Sequence, residues 1–143
     1  MRGILILSLS FIFLALPAFA STLDGYNRAK LADENYTKMH GNKIFDSAKD
    51  DPELFAVMKK YIYGDLSNQI KLTDTERQLI TIVVLTTNQN YKFLKRAVEG
   101  SLALNVKPIE IREALYHVAP YIGFPRTLNA LRIANEVFNE RKK

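Results

Sequence analysis

Beyond residue 20 the apolar positions recur at helical spacing, and they are interrupted where residues that end helices occur. Residues 26–38 are rich in good helix formers, and His40-Gly41-Asn42 closes the run. Asp51-Pro52-Glu53 is a compact helix start, with an acidic cap, Pro at the first helical position and Glu in the first turn. Leu54, Phe55, Met58, Tyr61 and Ile62 follow at helical spacing, and Gly64 is expected to stop the helix. Thr73-Asp74-Thr75-Glu76 has the form of a capping box. Behind it Leu79, Ile80, Ile82, Val83, Val84 and Leu85 are apolar nearly all round. Their β-branched content suits a buried strand, but the cap and the unbroken run from Asp74 to Thr87 favour a central, buried helix. Asn88-Gln89-Asn90 breaks the pattern. Phe93, Leu94, Ala97, Val98, Ser101 and Leu102 then share one face, and Asn105 is placed for a left-handed cap. Pro108 begins a helix with Ile111, Leu115 and Val118 as its stripe, which Pro120 should bend or stop near His117. After the Gly123-Phe124-Pro125 corner, Leu128, Leu131, Ala134, Val137 and Phe138 form the last stripe. No strand-like alternation, repeat or low-complexity stretch occurs, so the pattern predicts an all-α domain of about six helices.

The first twenty residues obey different rules. Arg2, an apolar run from Ile4 to Leu16 and Ala18-Phe19-Ala20 before Ser21 make a charged n-region, a short h-region and an A-x-A cleavage site. The run is short for a spanning helix, which needs roughly 20 apolar residues. The expected product is a periplasmic or secreted domain of residues 21–143, with no membrane attachment after cleavage. The full chain of 143 residues carries 20 Lys+Arg, 15 Asp+Glu and no cysteine. An exported chain without thiols has no disulfide, no cysteine-bound metal and no thiol redox chemistry. The basic excess is spread out, with no cluster longer than Arg141-Lys142-Lys143, which argues against a nucleic-acid partner.

Two stretches together resemble a known family. Tyr63-Gly64-Asp65-Leu66, followed by Leu72-Thr73-Asp74-Thr75-Glu76-Arg77-Gln78-Leu79-Ile80, is similar to the "GD…L…REL" motif of carboxymuconolactone decarboxylase-like proteins. The segment from Ile109 to Leu131, containing Glu113-Ala114-Leu115-Tyr116-His117-Val118-Ala119 and Gly123-Phe124-Pro125, resembles that family's "EEI-EAL-HVA-Y-GFP-ALNAL" segment. The resemblance runs from about residue 54 to residue 138, most of a single domain. It implies a compact helical domain that assembles as trimers or hexamers. It also implies one of two chemistries: lactone decarboxylation without a cofactor, or alkyl hydroperoxidase D-like peroxide reduction through a C-x-x-C pair.

The family's functional residues are largely replaced. Gln78 stands where the resemblance implies a relay Glu, Asn90 and Phe93 where it implies the two cysteines, and Ala97 where it implies the following His. The His and Glu of the decarboxylase branch would fall at these same positions. A Gln amide hydrogen-bonds but does not exchange a proton near neutrality, and an alanine does neither. The resemblance implies that Phe93 and Ala97 face the reaction pocket, which would be apolar here, and Gln78, Asn90, Phe93 and Ala97 are candidates for binding a small molecule. The second half retains Glu113, His117, Tyr121 and Arg126. Glu113 lies one helical turn before His117 and can orient its imidazole as an acid or base. Tyr121 and Arg126 are candidates for holding a small carboxylate or lactone. Helix-surface Glu–His pairs are also common as plain solvated or subunit-contact pairs. His40, near a predicted helix end, reads as a capping or surface residue. Two histidines without cysteines or a carboxylate cluster give no metal-site spacing, and no cofactor is called for.

Three functions follow from these residues. One is a non-catalytic, exported homo-oligomer that binds a small molecule or partner, with degenerate or altered activity. A second is a cofactor-independent lyase that decarboxylates a small lactone or carboxylic acid through His117. The third, a peroxidase-type antioxidant, lacks the sulfur it would cycle. Mass spectrometry of protein recovered from the periplasm is expected to find Ser21 as the first residue. An intact Met1 in a cytosolic fraction would contradict export.

Overall fold

The computed structural model describes residues 25–43, 45–69 and 71–141, so the expected leader over residues 1–20 lies outside the described residues. Among the described residues the regular structure is helical, with no strand. Helix α1 covers residues 25–40, α2 Asp46–Asp50, α3 Pro52–Lys59, α4 Asp74–Thr87, α5 Tyr91–Ala103, α6 Pro108–Ile122 and α7 Phe124–Glu140. The chain divides into two compact units. One contains the described residues up to Asn35 together with Phe45–Asn68, and the other contains Tyr36–Ile44 together with Gln69–Lys143.

In the first unit, Asp51 caps α3 by accepting a hydrogen bond from the Leu54 N–H at 2.9 Å, with Pro52 at the first helical position. Gly64 does not stop this helix. Residues Lys60–Leu66 continue it as a π-helical turn, in which the Ser67 N–H reaches the Ile62 carbonyl at 3.2 Å. Contact with α1 explains the difference. Gly64 is buried, and a Cβ there would lie 3.0 Å from the Arg28 carbonyl oxygen and 3.5 Å from the Ala32 Cβ. The residue's use is its lack of a side chain at a helix crossing. Around it the Asn35 amide donates to the Tyr63 carbonyl at 2.7 Å, and both Arg28 and Lys59 pair with carboxylates, on Asp65 and Asp33 respectively. The Arg28 hydrogen bond holds the Asp65 carboxyl below the usual carboxylate range.

The second unit is a bundle. α4 packs on α5 and α6, and α7 packs on the same two helices, so the ring runs α4–α5–α7–α6. Its interior holds Ile82, Leu94, Val98, Leu102, Ile111, Leu115, Ala130, Ala134, Val137 and Phe138. The capping box forms as the sequence predicts: the Glu76 N–H donates to the Thr73 hydroxyl at 3.2 Å, and the Thr73 N–H donates to the Glu76 carboxylate at 2.7 Å. Both α4 and α5 end on a left-handed residue. Gln89 (φ 54°) lets the Asn90 N–H return to the Leu85 carbonyl, and Asn105 (φ 64°) lets the Val106 N–H return to the Ser101 carbonyl.

Three expectations change on this scale. α4 is not buried all round: Gln78, Ile82 and Thr86 face inward, whereas Ile80 and Val84 are exposed in the single chain. α6 runs through Pro120 to Ile122 instead of stopping near His117. The lost bond belongs to the last turn and to the carbonyl of Tyr116, an exposed residue, and Gly123, at φ 83°, makes the actual corner. In α7 the stripe is rotated at its start, with Thr127 and Ala130 buried while Leu128 stays exposed.

The Thr86 hydroxyl is buried without a hydrogen-bond partner among the described residues. Thr86→Val keeps the shape and removes the orphaned group, so it should raise the unfolding free energy by about 1 kcal/mol. Urea unfolding at fixed protein concentration measures this, and a loss of stability would mean that the hydroxyl is satisfied.

Candidate functional site

The positions singled out by the sequence separate into an interior group and a surface group. Gln78, from the second turn of α4, is buried. The Ser101 hydroxyl on α5 donates to the Ala97 carbonyl at 2.6 Å and lies 3.4 Å from the Gln78 side-chain oxygen, while the Gln78 amide N–H points to the Met39 sulfur at 3.8 Å. Ala97 is part of the same core. The fold therefore does bring Gln78 and Ala97 together, one turn of α5 apart from Ser101, in a closed and uncharged interior. The other two positions of this set lie outside it. Asn90 is exposed at the start of α5, where its carbonyl accepts the Leu94 N–H, and Phe93 is exposed with the Arg96 guanidinium 5.2 Å from its ring centre.

The surface group sits on α6 and the start of α7. Glu113, His117, Tyr121 and Arg126 are all exposed, Tyr121 at 79%. Among the described residues no hydrogen bond or ion pair joins Glu113 to His117, although both lie on one side of α6. Around them Tyr116, Phe124 and Leu128 are also exposed, Phe124 at 75%. Within one chain, then, the retained polar residues share an open, partly aromatic surface. No group of three or more metal-ligating side chains occurs among the described residues.

His40, which the sequence left at a helix end, has the more built environment. It occupies the last turn of α1, half-buried, with the Tyr36 ring centre 5.1 Å away. Gly100 of α5 makes room for this turn: a Cβ there would lie 2.6 Å from the Met39 Cγ and 3.3 Å from the His40 Cε1. Burial lowers the imidazole from its usual 6.5 to about 4, with Glu99 opposing the shift and Lys43 and Arg96 adding to it. Lys43 and Glu99 are themselves paired at 2.8 Å. The sequence carried one signal for this contact, a glycine in the interior of the α5 helical pattern.

An all-helical bundle of this kind, with the second motif spread over α6 and the first half of α7, places the protein in a definite class. The chain belongs to the carboxymuconolactone decarboxylase family, whose model matches residues 52–136, more than half of the chain. No curated protein matches it.

The His40 environment generates a pH dependence. Between about pH 6.5 and 4 the unfolded chain takes up the imidazole proton and the folded chain does not. The contribution is complete above 6.5 and is lost as pH falls toward 4. Urea unfolding at several pH values should show stability declining through this window, and His40→Gln should flatten that part of the decline. An unchanged slope in His40→Gln would assign the acid sensitivity to other groups.

Proposed function

We propose that this protein is an exported, self-associating member of the carboxymuconolactone decarboxylase family that binds a small molecule without carrying out the family's proton transfer. The observation that carries this reading is the Gln78–Ser101–Ala97 interior. At the positions where the resemblance implies a Glu and a His, the chain has an amide and a methyl group closed into the core. Neither moves a proton near neutrality, and a full-sized imidazole at Ala97 would have to displace packed neighbours. The absence of cysteine removes the peroxide branch as well.

Self-association is supported by the apolar side chains that the single chain leaves exposed, among them Ile80, Val84, Tyr121, Phe124 and Leu128. Such a surface on one small domain suits burial against further copies. Export rests on the leader-like residues 1–20.

Decarboxylation of a small carboxylated lactone, followed by its ultraviolet absorbance, should proceed no faster with the mature protein than in buffer. Positioned acid–base catalysis contributes on the order of 100-fold or more. An acceleration of that size, lost in His117→Ala with assembly intact, would overturn the binding reading and make His117 the acid–base group. Light scattering should give a trimer or hexamer, and a stable monomer at micromolar concentration would overturn self-association.

A further inference from the structure

The bundle unit contains a cleft of about 470 Å³ between the last turn of α1, the second half of α5 and the end of α7. It lies beside the Gln78–Ala97 interior but does not include either residue. Met39, Leu102, Ala103 and Val137 give it an apolar lining, and His40 forms part of its wall. A cleft of this volume is within the range of small-ligand sites.

The charges around it select the ligand. Lys38 is paired with Asp74 at 3.0 Å, Lys43 with Glu99 at 2.8 Å, and Glu140 with Lys95 at 3.0 Å. Arg141 also lines the cleft, and its guanidinium has no ion-pair partner among the described residues. A guanidinium offers two parallel N–H donors that match a carboxylate. Glu99 and Glu140 are each balanced by a lysine, so among the described residues Arg141 leaves one net positive charge on the lining, which a single carboxylate balances. His40, neutral at physiological pH, adds none of its own.

We propose that this cleft binds a small organic monocarboxylate, its carboxylate on Arg141 and its hydrocarbon body over Leu102, Ala103 and Val137. The proposal names a ligand class for the binding role given above and rests on it. It requires no turnover and no residue of the α6 surface.

Benzoate is a suitable probe, and the chain supplies its own reporters, because it has only two histidines, His40 and His117. In a benzoate titration of the mature protein, the Cε1 proton resonance of His40 should shift saturably while that of His117 stays in place. Benzyl alcohol, which has the same ring without the charge, should leave both unmoved. Arg141→Gln should weaken benzoate binding about tenfold, the scale of losing a hydrogen-bonded charge. Arg132→Gln, at an exposed position elsewhere on α7, should leave the affinity unchanged. The proposal is overturned if His40 shows no saturable shift, if benzyl alcohol binds equally well, or if Arg141→Gln binds like the parent. Lactone turnover is scored separately, so failure of the cleft and failure of the binding role give different results.

Discussion

The bundle depends on how closely its neighbours can approach α5. Six of this helix's positions, Leu94, Ala97, Val98, Gly100, Ser101 and Leu102, are buried. Half of them, Ala97, Gly100 and Ser101, are small. Side-chain area lost at these positions is made up by proximity: Ser101 reaches toward the amide of Gln78 on α4, and Gly100 receives Met39 and His40 from the end of α1. Protein interiors are packed as densely as organic crystals, so this narrow stripe fixes how much chemistry the inner face of α5 can carry.

The same closeness accounts for the nature of the interior. A carboxylate at position 78 would need a charged or proton-sharing partner to be tolerated in that environment, and the neighbours are a hydroxyl, a methionine sulfur and apolar groups. The amide suits them because it can accept from Ser101 and point its N–H at Met39. The inner face of α5 is therefore organised for packing, and His40 reaches its edge from another helix, against Gly100.

Much of the fold was legible because it is locally encoded. The Thr73–Glu76 box, the Asp51-Pro52 start, the Asn105 cap and the Pro108 start all act within a turn of their own positions, and each appears as the sequence predicts. The likeness in the α4 and α6–α7 motifs was legible for the same reason, as contiguous residues. What was not legible depended on partners distant in sequence. Gly64 looked like a stop because nothing local reveals the Arg28 carbonyl lying against it, and His40 looked like a surface residue because Gly100 is sixty positions away. Gln89 was read only as part of a break, since a left-handed glutamine carries no composition signal comparable to Asn or Gly. Among the site positions, sequence spacing put Glu113 and His117 on one side of α6, but it could not show that Gln78 and Ala97 are enclosed while Phe93 is not.

The π-helical turn at Lys60–Leu66 sets a rule for chain length in the first unit. A π turn takes up one more residue than the α-helix it interrupts, so the segment is in effect an α-helix with an insertion. Deleting one residue inside the turn would close it to regular α geometry and leave the helix on either side in register. The same deletion in the α-helical stretch Pro52–Lys59 has no such slack and would turn the residues before it by about 100° relative to Tyr63, Gly64 and Asp65, which face Asn35, Ala32 and Arg28. The π turn is therefore the place in the first unit where the chain can lose one residue while its contacts with α1 stay in register.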